Sequence, residues 1–460
     1  LNFYFNRVDK FREEVNYEHP NFIRTLECLR EVLPEYLDDL DPPKIETVFD
    51  ETIQLVGDRY MFTDIYIESL FTTVKRTSSP GVDMVYTYQS NGALLDDNPE
   101  ELKQRVNSRL NSHLQFANII VGERSEMFVL DALMNCCQTF KNYKTAQHWV
   151  ERDLCDPIRV FIKDEPTKTS KEDRVICSVS VVDSLLERAP ILDHFMSLRH
   201  KWTNGPSSIG IDLSSVDSMQ IFRNNLFKRL GNLSANSDLQ GFEYCFNSYC
   251  FFVCFIMQFY LIFRKFPWEV KMKELTLQGK LLFLNALLDQ LDKVIVCSDG
   301  KVIKTNRVWL ASGRFKTSYY GTLFRSILPS LTANFYANNV ENIYVPSTAN
   351  GDDCVEKFAF NNIESFVSGY AKFGFKVTDY KIIRYGEDIS FCSQIISDGT
   401  HYPESILKQT LHLLRHKVVD KELWDQFHYV MHRRKDWGEL EEICLNILSA
   451  SDLSGQTLQN

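Results

Sequence analysis

The stretch TANGDDCVEK, residues 348–357, sets two adjacent carboxylates, Asp352 and Asp353, directly after a glycine. Like charges side by side repel, and each makes the other harder to ionise. A solvated turn tolerates such a pair, because Gly-Asp is ordinary turn chemistry. A divalent cation makes it favourable: Mg²⁺ takes carboxylate and phosphate oxygens and cancels the repulsion. The flanking runs NIYV (342–345) and CVEKF (354–358) are β-like, so the pair reads as a hairpin tip. A two-metal site of this kind needs at least one further carboxylate from elsewhere in the chain.

The chain has 460 residues, 44% hydrophobic and 13% aromatic, enough for a large core and more than one simple compact domain. Lys plus Arg is 51 and Asp plus Glu is 61, giving a net charge of −10. That excludes broad adhesion to nucleic acid; RNA binding would need a local basic channel or a bound cation. The first residue is Leu1, as expected of a cleavage product or trimmed chain, and no signal peptide is legible. Twelve scattered cysteines, with no C-x-x-C, point to reduced, mostly buried thiols of a cytosolic protein rather than to disulfides or structural zinc. The apolar run YCFFVCFIMQFYLIF (249–263) contains Gln258 and falls short of the ~20 residues of a membrane span, so a buried central helix or strand is expected.

Elsewhere helical patterns alternate with short strands. FIRTLECLREVLPEYL (22–37) has helical spacing with a kink or stop at Pro34. PIRVFIKDEP (157–166) alternates like a strand, SVVD (180–183) suggests a capping box, and KVIVCSDGKVIKTNRVWL (293–310) suggests a hairpin around Asp299-Gly300. SYYGTLFRSILPSL (318–331) places Tyr320, Leu323, Phe324, Ile327 and Leu331 on one helical face, bent at Pro329. The end of the chain is helical and locally basic. Mixed helices and short strands at these spacings imply an α+β architecture.

Four further stretches carry candidate chemistry. In SDLQGFEYC (237–245), Asp238 begins a strand-like run and Glu243 follows past Gly241; an exposed edge strand with two incidental acids is the plain alternative. ASGRFKTSYYG (311–321) reads as a loop at Ser312-Gly313 and a helix start at Thr317-Ser318. Small hydroxyl residues beside glycine let a backbone approach a sugar-phosphate, although an N-cap explains them equally well. FIKDEPTKTSKEDRVI (161–176) gathers Lys163, Lys168, Lys171 and Arg174, either as a solvated charged loop or as a cationic arm for a triphosphate. FGFKVTDYKIIRYGEDISFCSQII (373–396) offers Lys381, then a hairpin through Arg384 to Phe391, ending in Phe391-Cys392-Ser393.

Each signal is modest alone, but their order resembles that of viral RNA-dependent RNA polymerases. DPIRVFIKDEP, SVSVVDSLLER, GFEY, NGDDCVE and FCS look like motif strings of the sobemovirus, polerovirus and related sobemo-like enzymes, across about residues 155–396. The resemblance implies a right-hand fold of fingers, palm and thumb, with an antiparallel palm sheet flanked by helices. It divides the chain into an N-terminal extension with fingers (1–150), fingers with the basic arm and the start of the palm (151–236), palm (237–248), a fingers insertion (249–307), palm (308–400) and thumb (401–460).

It also implies roles. Asp238, Asp352 and Asp353 would hold two Mg²⁺ ions, for which Mn²⁺ can substitute. Lys381, with Lys376 as the alternative, would be general acid to pyrophosphate. Lys163 and Arg174 would meet the triphosphate, and Ser312, Thr317, Glu243 and Gly321 would line the nucleotide. Gly313, Lys168, Lys171, Phe391, Cys392 and Ser393 would face template and primer. Implied partners are RNA template and product, nucleoside triphosphates and other viral replication proteins, in a membrane-associated complex of the host cytoplasm.

Three departures stand out. Glu243 replaces the usual second aspartate of the first palm motif, and Gly321 stands where asparagine is usual. The arm is short and carries Glu172-Asp173 near a common arginine position. Glu243, one methylene longer than aspartate, would reach into room left at Gly321 to read the ribose 2′-hydroxyl. The competing readings are a non-catalytic RNA-binding scaffold and an unrelated metal-dependent phosphohydrolase.

Overall fold

The structure, a computed structural model, describes residues 20–38, 49–82, 84–141, 146–163, 175–305, 308, 310–336, 344–360, 362–414, 419, 421–434 and 436–450. Lys168, Lys171 and Arg174 lie outside the described residues.

A single helix organises the interior. Ser248–Phe263 has no charged residue, begins at an Asn247 cap, and is buried from Cys250 through Phe259. Helices Pro20–Asp38, Val129–Lys141, Leu277–Gln290, Phe315–Tyr336 and Ile363–Lys372 contribute to the same core. Each fully buried Phe, Leu or Ile there contributes roughly 1.5–3 kcal/mol. Gln258, the polar exception in this helix's interior, accepts a hydrogen bond from Tyr320 at 2.8 Å. Among the described residues no helix is long and apolar enough to cross a membrane. All twelve cysteines are free thiols.

The strands fall into four sheets among the described residues. β1 (Ile53–Val56) and β2 (Arg59–Phe62) form a hairpin on the long helix Pro99–Glu123. β3 (Ile158–Ile162) pairs antiparallel with β4 (Val175–Ser178) and parallel with β6 (Val294–Cys297), which forms the expected hairpin with β7 (Val302–Lys304). The third sheet has the order β10-β5-β9-β8 and is antiparallel throughout: β5 is Leu233–Leu239, β8 Ser347–Asn350, β9 Asp353–Lys357 and β10 Val377–Arg384. β11 (Ile389–Phe391), β12 (Gln394–Ser397) and β13 (Thr400–Pro403) form the fourth.

The third sheet lies between two layers. Helices Phe315–Tyr336 and Ile363–Lys372 contribute one, and helix Val216–Leu230 with the fourth sheet the other, where Val355 and Ile383 join Phe222, Phe391 and Ile396 in one apolar cluster. The outer edge of β8 is covered rather than left open. The segment Pro206–Ser208 runs along it, exchanging hydrogen bonds with Ala349 at 2.9 and 3.0 Å, and Arg229 ties Gly205 to Thr348. The α+β class and the antiparallel sheet flanked by helices are therefore observed.

Several local expectations change. The strand entering the acidic turn is Ser347–Asn350, not NIYV. Pro34 does not stop its helix, which continues to Asp38, whereas the helix bearing Pro329 runs on through it as expected. The Phe315–Tyr336 helix starts two residues before Thr317 and is buried around its circumference from Tyr319 to Thr332, not on one face. Ser180 caps its helix through the Val182 amide at 3.2 Å, but Asp183 does not complete a box. It accepts from Arg109 and from the Asp156 amide instead.

Candidate active site

The acidic turn forms for local reasons. Asn350 registers opposite Asp353, so Gly351 and Asp352 alone reverse the chain. Gly351 stands first, at φ +64°, in the left-handed region that glycine enters without a Cβ clash and that two-residue hairpins favour. Thr322 Oγ1 on the adjacent helix accepts the Gly351 amide at 2.9 Å. Both aspartates are half-buried.

β5 supplies the third carboxylate. Ser237 is the last residue of β5 paired with β9, opposite Cys354, and Asp238 follows it at the end of the ladder. Asp238 therefore stands near the end of its strand rather than at its start, and that strand is internal rather than an edge. The three acids feel one another. Burial, then Asp352 and Asp238, then Glu404 push the Asp353 carboxyl up to about 7, against a smaller opposing pull from Arg325. Asp379 on β10 registers opposite Asp238, and Thr378 Oγ1 donates to the Asp238 carboxylate at 3.5 Å.

Among the described residues no three His, Cys, Asp or Glu side chains are already drawn together as a metal-ligand set. The donor chemistry nevertheless fits a hard divalent cation: carboxylate oxygens at one sheet end, mutually repelling.

The Phe391-Cys392-Ser393 motif abuts this turn. Cys392 and Ser393 are the two central residues of the β11–β12 hairpin, both left-handed at φ 51° and 59°, as a primed turn requires. Burial and the charges of Asp353 and Asp352 hold the Cys392 thiol well above its ordinary pKa, opposed by a hydrogen bond with the Asn350 side chain. The expected hairpin from Lys381 to Phe391 is not formed. β10 pairs with β5, and β11 with β12. Lys381 registers opposite Asn236, and its Nζ donates to the Asp388 carbonyl at 3.0 Å. Lys376 is exposed, and its carbonyl accepts the Gln240 amide at 2.9 Å.

Ser312, Gly313 and Thr317 are engaged with backbone. Ser312 Oγ donates to the Val175 carbonyl at 3.1 Å, and Thr317 Oγ1 to the Ala311 carbonyl at 2.6 Å. Gly313, at φ +97°, leaves no space for a Cβ, which would overlap the Cys177 carbonyl oxygen. This loop therefore fastens the start of β4, where the basic arm ends. Lys163, at the other end of the arm, is exposed.

Glu243 occupies a single helical turn, Phe242–Cys245, and Gly321 lies close by. A Cβ at Gly321 would stand 3.4 Å from the Phe242 ring and 3.5 Å from Gly351 Cα. Both lie at ordinary van der Waals contact distance from such a Cβ, so Gly321 sits beside the Phe242 ring and the acidic turn.

Sequence reasoning missed Thr322, Arg325 and Glu404. Arg325 is fully buried beneath the turn. Its legible signal is one arginine within the apolar run LFRSIL, on a helix that the pattern already turns inward.

No family model matches the chain. Curated relatives do. The replicase polyprotein P2AB of Southern cowpea mosaic virus is 23% identical over 385 residues, covering 79% of this chain and 35% of that protein. Its counterpart from Southern bean mosaic virus is 24% identical over 373 residues, covering 77% and 34%. Protein P1-P2 of Potato leafroll virus is 27% identical over 280 residues, covering 56% and 23%. The chain is thus related to the replicase polyproteins of sobemoviruses and poleroviruses, and spans about a third or less of their length. Among solved structures, an insertion-loop deletion mutant of the RNA-dependent RNA polymerase of a human picorbirnavirus superposes at a TM-score of 0.44 with 14% identity, over 63% of this chain and 57% of that one. A superposition that loose adds nothing to the fold described above.

Proposed function

We propose that the chain is a template-directed RNA polymerase that joins ribonucleoside triphosphates on an RNA template, replicating a positive-strand RNA virus genome. The observation that carries this reading is the meeting of Asp238 with the Asp352-Asp353 turn across neighbouring antiparallel strands, in a chain whose relatives are named replicases. Two Mg²⁺ ions, when bound there, would supply activation of a 3′-hydroxyl and charge neutralisation on the pyrophosphate leaving group. Asp238 and Asp352 would hold them, with Asp353 assisting. The Cys392-Ser393 turn, packed on the acidic turn, would support the primer end. Lys381 would serve as general acid only after leaving the Asp388 carbonyl, a separation that substrate closure would have to provide. Lys163, with the remainder of the arm, would meet the triphosphate.

In this reading the third sheet is the palm, the β3-β4-β6-β7 sheet and the Pro99–Glu123 region belong to the fingers, and the helices after Pro403 form the thumb. Partners would be RNA, nucleoside triphosphates and further replication proteins at a membrane-associated site in the host cytoplasm.

The decisive assay is extension on a short heteropolymeric RNA template with Mg²⁺ or Mn²⁺, comparing the natural protein with Asp352→Ala plus Asp353→Ala. Template-complementary product from the natural protein alone is expected. RNA binding by both with product from neither would favour the scaffold reading. For sugar selection, Glu243, on the helical turn whose Phe242 ring lies beside Gly321, would meet the ribose 2′-hydroxyl. Glu243→Gln is expected to lower the NTP-over-dNTP preference, and an unchanged preference would remove Glu243 from that role.

A further inference from the structure

We propose that Arg325 is a positioning residue that fixes the separation between Asp238 and the Asp352-Asp353 turn, and through it the affinity of these carboxylates for divalent metal; this rests on the polymerase reading. One guanidinium grips both acidic strands. Its Nε donates to the Asp352 carbonyl at 3.0 Å. One terminal nitrogen donates to the Ser237 carbonyl at 3.3 Å and to Ser237 Oγ at 2.5 Å. The peptide bonds so held lead directly into Asp353 and Asp238.

The other terminal nitrogen donates to Tyr370 Oη at 3.0 Å, and Tyr370 in turn donates to the Glu356 carboxylate at 2.7 Å. Glu356 stands 3.8 Å from the guanidinium and is as buried as Arg325 itself. Helix Phe315–Tyr336, β5, β9 and helix Ile363–Lys372 thus meet at one planar fork. A planar fork constrains direction as well as distance, which a point charge cannot do. Ser237 is the last rung before Asp238, and the turn has only two residues outside the ladder, so the fork holds the backbone directly before Asp238 and within the acidic turn. Mutually repelling carboxylates at a sheet end would spread unless their backbones are held, and metal affinity depends on such outer contacts.

The test measures Mn²⁺ binding to the full chain by electron paramagnetic resonance, with RNA extension alongside. It compares the natural protein with Arg325→Lys and Ser237→Ala, using Asp352→Asn as the site control. Arg325→Lys keeps a charge facing Glu356 and loses the fork. It is expected to bind Mn²⁺ on the order of tenfold more weakly. Its kcat should fall on the order of 10- to 100-fold, with the KM for nucleotide within about threefold of the natural value. Natural Mn²⁺ affinity in a folded Arg325→Lys protein overturns the inference.

If Arg325→Lys does not fold, Ser237→Ala decides. It removes one acceptor and leaves a small apolar group, so a few-fold weaker Mn²⁺ binding at nearly natural Tm supports the inference, and unchanged binding overturns it. If the natural protein binds Mn²⁺ through Asp352 but extends no RNA, the polymerase reading fails while the Mn²⁺ comparison still decides Arg325. Absence of Asp352-dependent Mn²⁺ binding in the natural protein overturns the inference outright.

Discussion

Two groups of buried or half-buried charges in this molecule are treated in opposite ways. Between helices Val181–Arg188, Leu277–Gln290 and Phe315–Tyr336, Arg314 donates to Glu187 at 2.8 Å and to Asp289 at 2.7 Å, and Lys316 donates to Asp289 at 2.7 Å. Burial pushes the Asp289 carboxyl up, yet Lys316, Arg314 and Lys293 more than offset it and hold it below the usual carboxylate range. At the acidic turn, burial and neighbouring acids act together, and the Asp353 carboxyl rises to about 7. Arg325, close enough to oppose this, spends its Nε on a backbone carbonyl of the turn rather than on a carboxylate. The first group is balanced within the fold. In the second, burial and neighbouring acids raise the same carboxyl together, the environment that the proposed metal site calls for.

The largest effect that can break this contrast is catalytic. If metal supplies about 4 kcal/mol of transition-state stabilisation, Asp352→Asn should slow RNA extension on the order of a thousandfold. The same change should leave Tm in EDTA equal or higher, because a repulsion is removed. Added Mg²⁺ should then raise the Tm of the natural protein and not that of the variant. A variant less stable than the natural protein in EDTA would show that the acids are paired within the fold after all.

The complementary change belongs to the balanced network. Lys316→Met leaves Asp289 short of a partner in a dry site and is expected to cost about 3–5 kcal/mol in urea unfolding. Loss of under about 1 kcal/mol would mean that Arg314 and Lys293 suffice.

A smaller effect concerns two buried histidines. Burial, helped by Arg109, lowers His113 to about 4, and burial, helped by Arg264, lowers His194 to about 3. Both folded values lie below the ordinary 6.5. The unfolded chain therefore binds more protons as pH falls from about 6.5 towards 4, and stability falls with it; above 6.5 their contribution is constant. Buried Asp183 and Glu356, each raised to about 7 chiefly by burial, act with the opposite sign over part of that range. The difference between variant and natural protein isolates one group. His194→Phe should gain on the natural protein by about 2 kcal/mol between pH 7.5 and pH 5. A pH-independent difference would show that His194 is accessible to protons when folded.

The contrast was half legible in the sequence. The acidic pair, its hairpin turn and the burial of the central apolar run were readable because each depends on neighbours along the chain, a glycine at a reversal and an uninterrupted apolar run, while helix or strand was left open for that run. The β6–β7 hairpin was readable for the same reason. Errors gathered where pairing is non-local. Nothing near Lys381 states that β10 will lie against β5 rather than against β11, and nothing near Asp238 states that its strand will be internal. Nothing near Gly321 states that the Phe242 ring and the acidic turn will be its neighbours.

The residue sequence by itself named the side chains that carry the candidate chemistry: Asp352 and Asp353 through local turn propensity, and Asp238 through an order of motifs that resembles a polymerase's. Tertiary structure alone decided their surroundings. Charge compensation and strand register depend on segments tens to hundreds of residues apart, as with Arg325 linking Ser237 and Asp352. The energy of a buried charge depends on such neighbours in space, and no local pattern records them.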